Sequence, residues 1–143
     1  MGLPATLERI VEDFADAPAD LRVEMLFEFS EKVATLPPDL EGAREAMERV
    51  VECQTPFFLS CAVRPDGTVA IWFDCPPEAP TTRGFAGILS EGLRGARPED
   101  ILGVPDDFYM GMGLGEAISP LRLRGMSAIL RRLKRQVRAR VIA

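Results

Sequence analysis

The sequence predicts one α+β domain in which a small three-stranded antiparallel sheet has helices packed on one side. Three observations lead to this fold class. Apolar residues recur at helical spacing in the first and last thirds of the 143-residue chain. Two stretches in the middle alternate apolar and polar residues around a turn, which is typical of a hairpin. No linker or internal repeat divides residues 1–143, so we expect a single domain.

Two helices are predicted at the start of the chain. The segment "LPATLERIVEDFADA" places Leu7, Ile10 and Phe14 on one helical face. The segment "APADLRVEMLFEFSEKVATLPP" follows and ends at two prolines. Its apolar stripe is expected to contain Leu21, Met25 and Phe29, with Leu26 as a further candidate. A short turn joins the two helices.

The middle of the chain predicts the sheet. Every second residue is apolar in residues 57–63 and again in residues 68–75. Between them, "RPDG" at residues 64–67 combines the proline and glycine that favour a tight turn. These features indicate an antiparallel hairpin, and "ERVV" at residues 48–51 can add a third strand.

Helical spacing returns after the hairpin. We expect Thr81 or Thr82 to cap the next helix, and a helical turn to lie at residues 98–102. The last helix is predicted to begin with Ser119 as its N-cap and Pro120 at its first position. The expected element order is therefore α-α-β-β-β-α-α.

The charge distribution and hydropathy exclude some classes of partner. The net charge is −5, and residues 1–60 hold thirteen acids against five bases. Residues 120–143 hold eight bases and no acid. An acidic chain of this kind is not expected to bind nucleic acid. No apolar run is long enough for a membrane span and no signal peptide is apparent, so we expect a cytoplasmic protein that does not bind membranes.

Residue types also limit the chemistry of the chain. It contains no histidine, which excludes Ser-His-Asp and Cys-His catalysis and any metal site built on imidazole. Its three cysteines do not form the close pairs of a zinc ribbon, so no metal site is expected. Three is also an odd number, which does not suggest a disulfide framework.

The three cysteines differ in their expected surroundings. Cys61 lies in the inward-facing set of a strand and is expected in the core. Cys75 follows the second hairpin strand and is expected to be partly exposed. Cys53 lies where one extended run ends and another begins, and Pro56 interrupts strand pairing just after it. We therefore expect Cys53 in a loop at the rim of the sheet, where a partner can reach it.

A reactive Cys53 would need a cation nearby to favour its thiolate. Arg83 and Arg122 are the candidates for that cation. Because no histidine is present to act as a base, the sequence argues against a self-contained cysteine hydrolase. It favours a relay thiol that exchanges sulfur with a thiol of another protein.

Three segments resemble one family in their order and spacing. "VVECQTPFFL" is similar to the V-x-G-C-Q-S-x-V-W stretch of the SufE family of sulfur-acceptor proteins. "PPEAPTTRGFAGIL" resembles the family's small-residue loop with Lys/Arg-Gly, and "ISPLRLRGMSAILRRLKRQVR" resembles its final helix. The chain departs from the family pattern at Glu52 in place of Gly, at Thr55 in place of Ser, and at Phe57 and Phe58 in place of Val-Trp.

The resemblance implies a fold shared with NifU-like scaffolds and a role in iron–sulfur cluster assembly. Such proteins take persulfide sulfur from a cysteine desulfurase, stimulate its turnover and pass the sulfur to a cluster scaffold complex. The pyridoxal phosphate belongs to the desulfurase, and no cofactor is expected here. The chain would thus be an activator subunit rather than a self-standing enzyme.

The resemblance also assigns site residues. The acceptor cysteine of the family falls on Cys53, its arginines fall on Arg83 and Arg122, and a loop acid falls on Glu78. We expect Gln54 to orient the loop by hydrogen bonding, and a partly apolar pocket to lie under it.

Two other functions stay open at this point. One is an iron–sulfur cluster scaffold of the same fold, with Cys53, Cys61 and Cys75 as ligands. The other is a non-catalytic adaptor that binds a partner through the basic C-terminal helix. The scaffold needs the Cys53 thiolate as an iron ligand, whereas in the adaptor Cys53 is inert.

Overall fold

The structure is a computed structural model that describes residues 3–53, 55–116 and 118–142. Its helices and strands follow the predicted order, and the helical turn expected at residues 98–102 forms a short helix of its own. They are α1 (Ala5–Asp16), α2 (Ala19–Phe29), β1 (Glu48–Arg49), β2 (Phe58–Val63), β3 (Val69–Asp74), α3 (Pro80–Gly92), α4 (Pro98–Leu102) and α5 (Pro120–Ile142). Short 3-10 helices span Ser30–Lys32, Arg44–Ala46, Phe108–Met112 and Leu114–Glu116.

The sheet is antiparallel, with the strands in the order β1-β2-β3. Leu59 lies opposite Phe73, and Cys61 lies opposite Ile71, so these apolar side chains share one face. Strand β1 is shorter than the four residues that the sequence suggested. It ends at Arg49 because the chain turns immediately afterwards, where the Cys53 N–H donates to the Val50 carbonyl at 3.1 Å.

The helices cover the apolar face of the sheet. Helix α5 packs along β2, and α3 packs against α1, α2 and the sheet. Side chains of α5 also cover the part of the β2 edge that β1 is too short to pair. The Cys61 N–H donates to Gln136 Oε1 at 3.1 Å, and Arg140 Nε donates to the Cys61 carbonyl at 3.1 Å. The predicted α+β fold class is confirmed.

The starts of the last two long helices differ in how well the sequence predicted them. Ser119 precedes α5 as expected, and its Oγ accepts a hydrogen bond from the Arg122 N–H at 3.4 Å. The prediction that Thr81 or Thr82 caps α3 was wrong. The helix begins at Pro80 with Ala79 as its N-cap, so both threonines lie inside its first turn. Proline suits the first helical position because its fixed φ is helical and its missing N–H costs no hydrogen bond of the helix.

The described residues contain no membrane-spanning helix. Within that part of the chain, every helix is too short or too polar to cross a bilayer.

Candidate functional site

Cys53 lies in the loop that connects β1 to β2 at one end of the sheet. The Val50 N–H donates to the Phe57 carbonyl at 2.8 Å and closes this loop at its base. The connection from β3 to α3 and the first turns of α5 lie at the same end. The sequence therefore located the loop correctly, and the fold brings two helix starts to it.

A cavity of about 330 Å³ lies between these three segments. Its walls are Cys53 and its loop neighbours, residues 78–82 at the start of α3, and the first two turns of α5. The cavity corresponds to the pocket expected under the Cys53 loop. It is open at one side, so a sulfur atom attached to Cys53 could lie inside it or face a partner.

Hydrogen-bond donors and two carboxylates, those of Glu52 and Glu78, all line the cavity. The N-termini of α3 and α5 both border it, and the unpaired N–H groups of a helix N-terminus carry partial positive charge. The hydroxyl of Thr55 is buried in the cavity wall and has no hydrogen-bond partner among the described residues. A thiolate or persulfide anion would supply an acceptor for these donors.

Gly125 allows the Cys53 loop to lie directly on α5. A Cβ atom at position 125 would lie 3.4 Å from Cys53 Sγ and 3.7 Å from the Glu52 carbonyl oxygen. An added methyl group would just reach van der Waals contact with the sulfur, so the loop leaves little room above the helix at this position. Gly125 belongs to the Gly-Met pair of the C-terminal segment that resembles the family's final helix. Nothing in the local sequence pattern indicated that this glycine contacts the Cys53 loop.

The Cys53 thiol is held in its neutral form. Burial raises the pKa of Cys53 to about 11, and the Glu52 carboxylate and the Cys75 thiol act in the same direction. Arg132 opposes them by lowering the pKa of Cys53. In the isolated protein Cys53 is therefore a poor nucleophile at neutral pH.

We expect this protonation state to control alkylation. At pH 8 only about one thiol in a thousand would be ionised at a pKa near 11, so iodoacetamide should react roughly a hundredfold more slowly than with an ordinary cysteine. The rate should rise about tenfold per pH unit from pH 8 to 10. A synthetic peptide of residues 48–58 is the matched control, since it has the same neighbours without the burial. A plateau near pH 8.5 in the folded protein would contradict the raised pKa.

Arg132 of α5 connects the Cys53 loop to the rest of the site. Its Nε donates to Glu52 Oε1 at 3.0 Å, and its Nη1 donates to Glu48 Oε2 at 2.7 Å and to the Arg49 carbonyl at 3.2 Å. The Arg132 hydrogen bond keeps the pKa of Glu52 below its usual range, so Glu52 stays ionised. The sequence did not indicate a role for Arg132, because this residue lies 80 residues from Glu52 in a helix with many arginines.

Of the two arginines predicted for the site, one borders the cavity and the other does not. Arg122 is exposed and lines the cavity together with Glu78. Arg83 lies behind the cavity wall, where its Nε donates to the Ser30 carbonyl at 3.0 Å and its Nη1 to the Cys75 carbonyl at 2.6 Å. Gln54 lies outside the described residues, so its expected role stays a prediction.

The remaining cysteines are both buried. Cys61 is 2% exposed and packs in the core, as predicted. The expectation of a partly exposed Cys75 was wrong, since it is 4% exposed. Cys75 directly follows β3 and its side chain belongs to the same core cluster as that of Phe73. Arg83 covers it, with Nη1 at 3.7 Å from Sγ. Within the described ranges, no three Cys, Asp or Glu side chains lie close enough together to hold a metal ion.

Comparisons with known proteins agree on one family. Residues 8–137 match the family described as SufE, an Fe-S metabolism associated domain. A SufE-like protein of Mycobacterium tuberculosis is 49% identical over 136 residues, which cover 95% of this chain and 94% of that protein. The cysteine desulfuration protein SufE of Plasmodium falciparum is 26% identical, and the match covers 92% of this chain but 53% of that protein.

A solved structure has the same fold. The solution structure of a hypothetical protein from Thermus thermophilus matches with a TM-score of 0.88 and 46% sequence identity. The match covers 99% of this chain and all of that one. Family match, sequence identity and fold all indicate the same relationship, and the chain belongs to the SufE family.

Proposed function

We propose that this protein carries sulfur in iron–sulfur metabolism and that Cys53 accepts persulfide sulfur from a cysteine desulfurase. The observation that carries the proposal is a thiol in a rim loop that borders a cavity of about 330 Å³. A sulfur atom added to Cys53 would have room beside it and polar donors around it. The family description and the name of the Plasmodium relative support the same role.

The proposed step is a thiol–persulfide exchange. The Cys53 thiolate attacks the terminal sulfur of a persulfide on the desulfurase cysteine. A new S–S bond forms at Cys53 while the S–S bond of the desulfurase breaks, and its electron pair leaves with the desulfurase thiolate. The terminal sulfur keeps its own proton, and the proton that Cys53 loses on ionising balances the one that the desulfurase thiolate takes up. The exchange therefore needs no external oxidant or reductant.

The partner has to provide part of the activation. Burial and the neighbouring Glu52 raise the pKa of Cys53 to about 11, so the free protein keeps this thiol protonated. A docked desulfurase would change the surroundings of the thiol and present its persulfide close to Cys53. Reactivity would then be confined to the complex, which protects the free carrier from unwanted oxidation.

Groups around the cavity would stabilise the transferred sulfur. The N-termini of α3 and α5 and the unpaired Thr55 hydroxyl would donate to the transferred sulfur and offset the Glu52 and Glu78 carboxylates in the same wall. We assign Arg122, at the mouth of the cavity, to the negative charge that develops during transfer. Arg83 would act indirectly, by holding the cavity wall through Ser30 and Cys75.

The carrier would stimulate the desulfurase by clearing its cysteine of sulfur after each turnover. It would then deliver the sulfur to an iron–sulfur cluster scaffold complex. The pyridoxal phosphate chemistry would belong to the desulfurase, and this chain would supply the acceptor thiol and the cavity that holds the transferred sulfur.

Desulfurase turnover tests the proposal. Alanine formation from cysteine should rise several-fold as this protein is added to a SufE-dependent desulfurase, and the rise should saturate. Bovine serum albumin at the same thiol concentration controls for nonspecific sulfur acceptance. The proposal fails if alanine formation stays at the rate of the desulfurase alone at every concentration of the carrier.

The cluster-scaffold alternative makes a different prediction. It needs Cys53, Cys61 and Cys75 as ligands to one cluster, and two of these thiols are buried in the core. Anaerobic incubation with ferrous iron and sulfide followed by gel filtration distinguishes the two functions. A carrier should elute colourless, whereas a stable brown protein would favour the scaffold.

A further inference from the structure

One face of α5 holds both the Cys53 sulfur and the residue before it. Gly125 lies under the sulfur, where a Cβ atom would come within 3.4 Å of Sγ. Arg132 follows seven residues later, which is two helical turns, and therefore lies on the same face. The loop thus rests on α5 at Gly125 and is tied to α5 at Arg132.

Arg132 holds both β1 and the Cys53 loop, and its bond to the loop is the one to Glu52. The guanidinium uses Nε for Glu52 and Nη1 for Glu48 and the Arg49 carbonyl. Glu48 has further partners, because Gln136 Nε2 donates to it at 3.0 Å and Arg135 also bonds to it. Among the described side chains, Glu52 hydrogen-bonds to Arg132, with Arg131 as a more distant source of attraction.

We propose that the Glu52–Arg132 ion pair is a latch that keeps the Cys53 sulfur against Gly125, and that Arg132 is a positioning residue for sulfur transfer. When the pair breaks, the loop moves off α5 and the sulfur becomes accessible. A role of the latch in sulfur transfer rests on the proposed sulfur-carrier function, whereas the movement of the loop is a property of this chain alone.

The strength of the pair suits a latch. The Arg132 side chain is 19% exposed and that of Glu52 is 39% exposed, so water and salt weaken their attraction. A pair of this class shifts an equilibrium by a small factor rather than locking it. Charged groups on a docking partner could therefore open it. Glu48 would keep β1 anchored to α5 through Gln136 and Arg135 while the loop moved.

The two members of the pair have opposite electrostatic effects on the thiol. Glu52 raises the pKa of Cys53, whereas Arg132 lowers it. If charge alone governed reactivity, Glu52→Gln would speed alkylation and Arg132→Gln would slow it. If the pair is a latch, both substitutions release the loop and both speed alkylation. The direction of the Arg132→Gln effect therefore separates the two explanations.

The experiment measures iodoacetamide alkylation of Cys53 at pH 8 in the full chain, with the rate of Cys53→Ser subtracted as background. We expect Glu52→Gln and Arg132→Gln each to raise the rate about three- to fivefold. The rate of the double variant should fall well short of the product of the two single effects, because each substitution breaks the same ion pair. Arg135→Gln is the matched control and should leave the rate unchanged, since it loses a bond to Glu48 but keeps the latch.

Two results would overturn the latch. One is an unchanged or slower rate in Arg132→Gln, and the other is a double variant whose effect is the product of the singles. If Arg132→Gln does not fold, Arg132→Lys replaces it. Lysine keeps the positive charge but cannot reproduce the guanidinium fork, so the latch predicts faster alkylation and pure electrostatics predicts no change. No desulfurase is used, so these outcomes are independent of the turnover test.

Discussion

Replacing Cys53 with serine is expected to abolish sulfur acceptance and to return desulfurase turnover to the rate without a carrier. A serine hydroxyl does not ionise near neutral pH and forms no persulfide, so the loss of transfer should exceed about a hundredfold. Serine is close to cysteine in size, so the fold should be retained. Alanine formation by the desulfurase measures the effect, and a thermal melt verifies folding.

Cys75→Ala and Cys61→Ala are the matched controls. Both thiols are buried, and neither lines the cavity, so these variants should still stimulate the desulfurase. Full stimulation by Cys53→Ser would instead favour the adaptor alternative, in which the basic face of α5 binds the partner and the thiol is inert.

The largest effect on stability is expected from Gly87→Ala. Helix α3 passes so close to the end of α2 that a Cβ atom at position 87 would lie 1.7 Å from the Phe29 carbonyl oxygen. The obstacle is backbone, so relief requires the two helices to separate. Overpacking lowers the free energy of unfolding by about 1–3 kcal/mol, and a clash with backbone should lie at the upper end of that range. The better helix propensity of alanine recovers about 1 kcal/mol, so we expect a net loss of about 2 kcal/mol.

Urea unfolding checks this loss, with Gly111→Ala as the matched control. At position 111 the nearest atom to an added Cβ is Val11 Cγ1 at 3.5 Å, which is an ordinary contact. That variant should stay within about 1 kcal/mol of the parent protein. Equal stabilities of the two variants would mean that α3 and α2 are not packed as closely as described.

Local sequence patterns predicted most of the fold. The helical spacing of Leu7, Ile10 and Phe14 marks a buried face, and all three are buried. Strand alternation predicted which side of β2 carries Leu59 and Cys61. These predictions succeeded because secondary structure repeats at a fixed period that the sequence displays directly.

The candidate site was less predictable because it depends on contacts between distant segments. The break in strand pattern around Cys53 was visible, and the loop is where it indicated. The partners of that loop were not visible, since Gly125 and Arg132 lie more than 70 residues further along the chain. Which of eight bases in the last helix faces Glu52 depends on how α5 packs against the sheet. The burial of Cys75 likewise depends on where Arg83 places its guanidinium.

Where the transferred sulfur is attached decides whether Cys53 is the acceptor. The protein is mixed with a desulfurase and cysteine, and an adduct of about 32 Da is sought by mass spectrometry. Because Arg64 precedes proline, tryptic cleavage leaves all three cysteines in residues 50–83, so fragment ions must locate the added sulfur. We expect the adduct on Cys53. Stimulation of the desulfurase without sulfur on Cys53, or with the sulfur on Cys61 or Cys75, would contradict it.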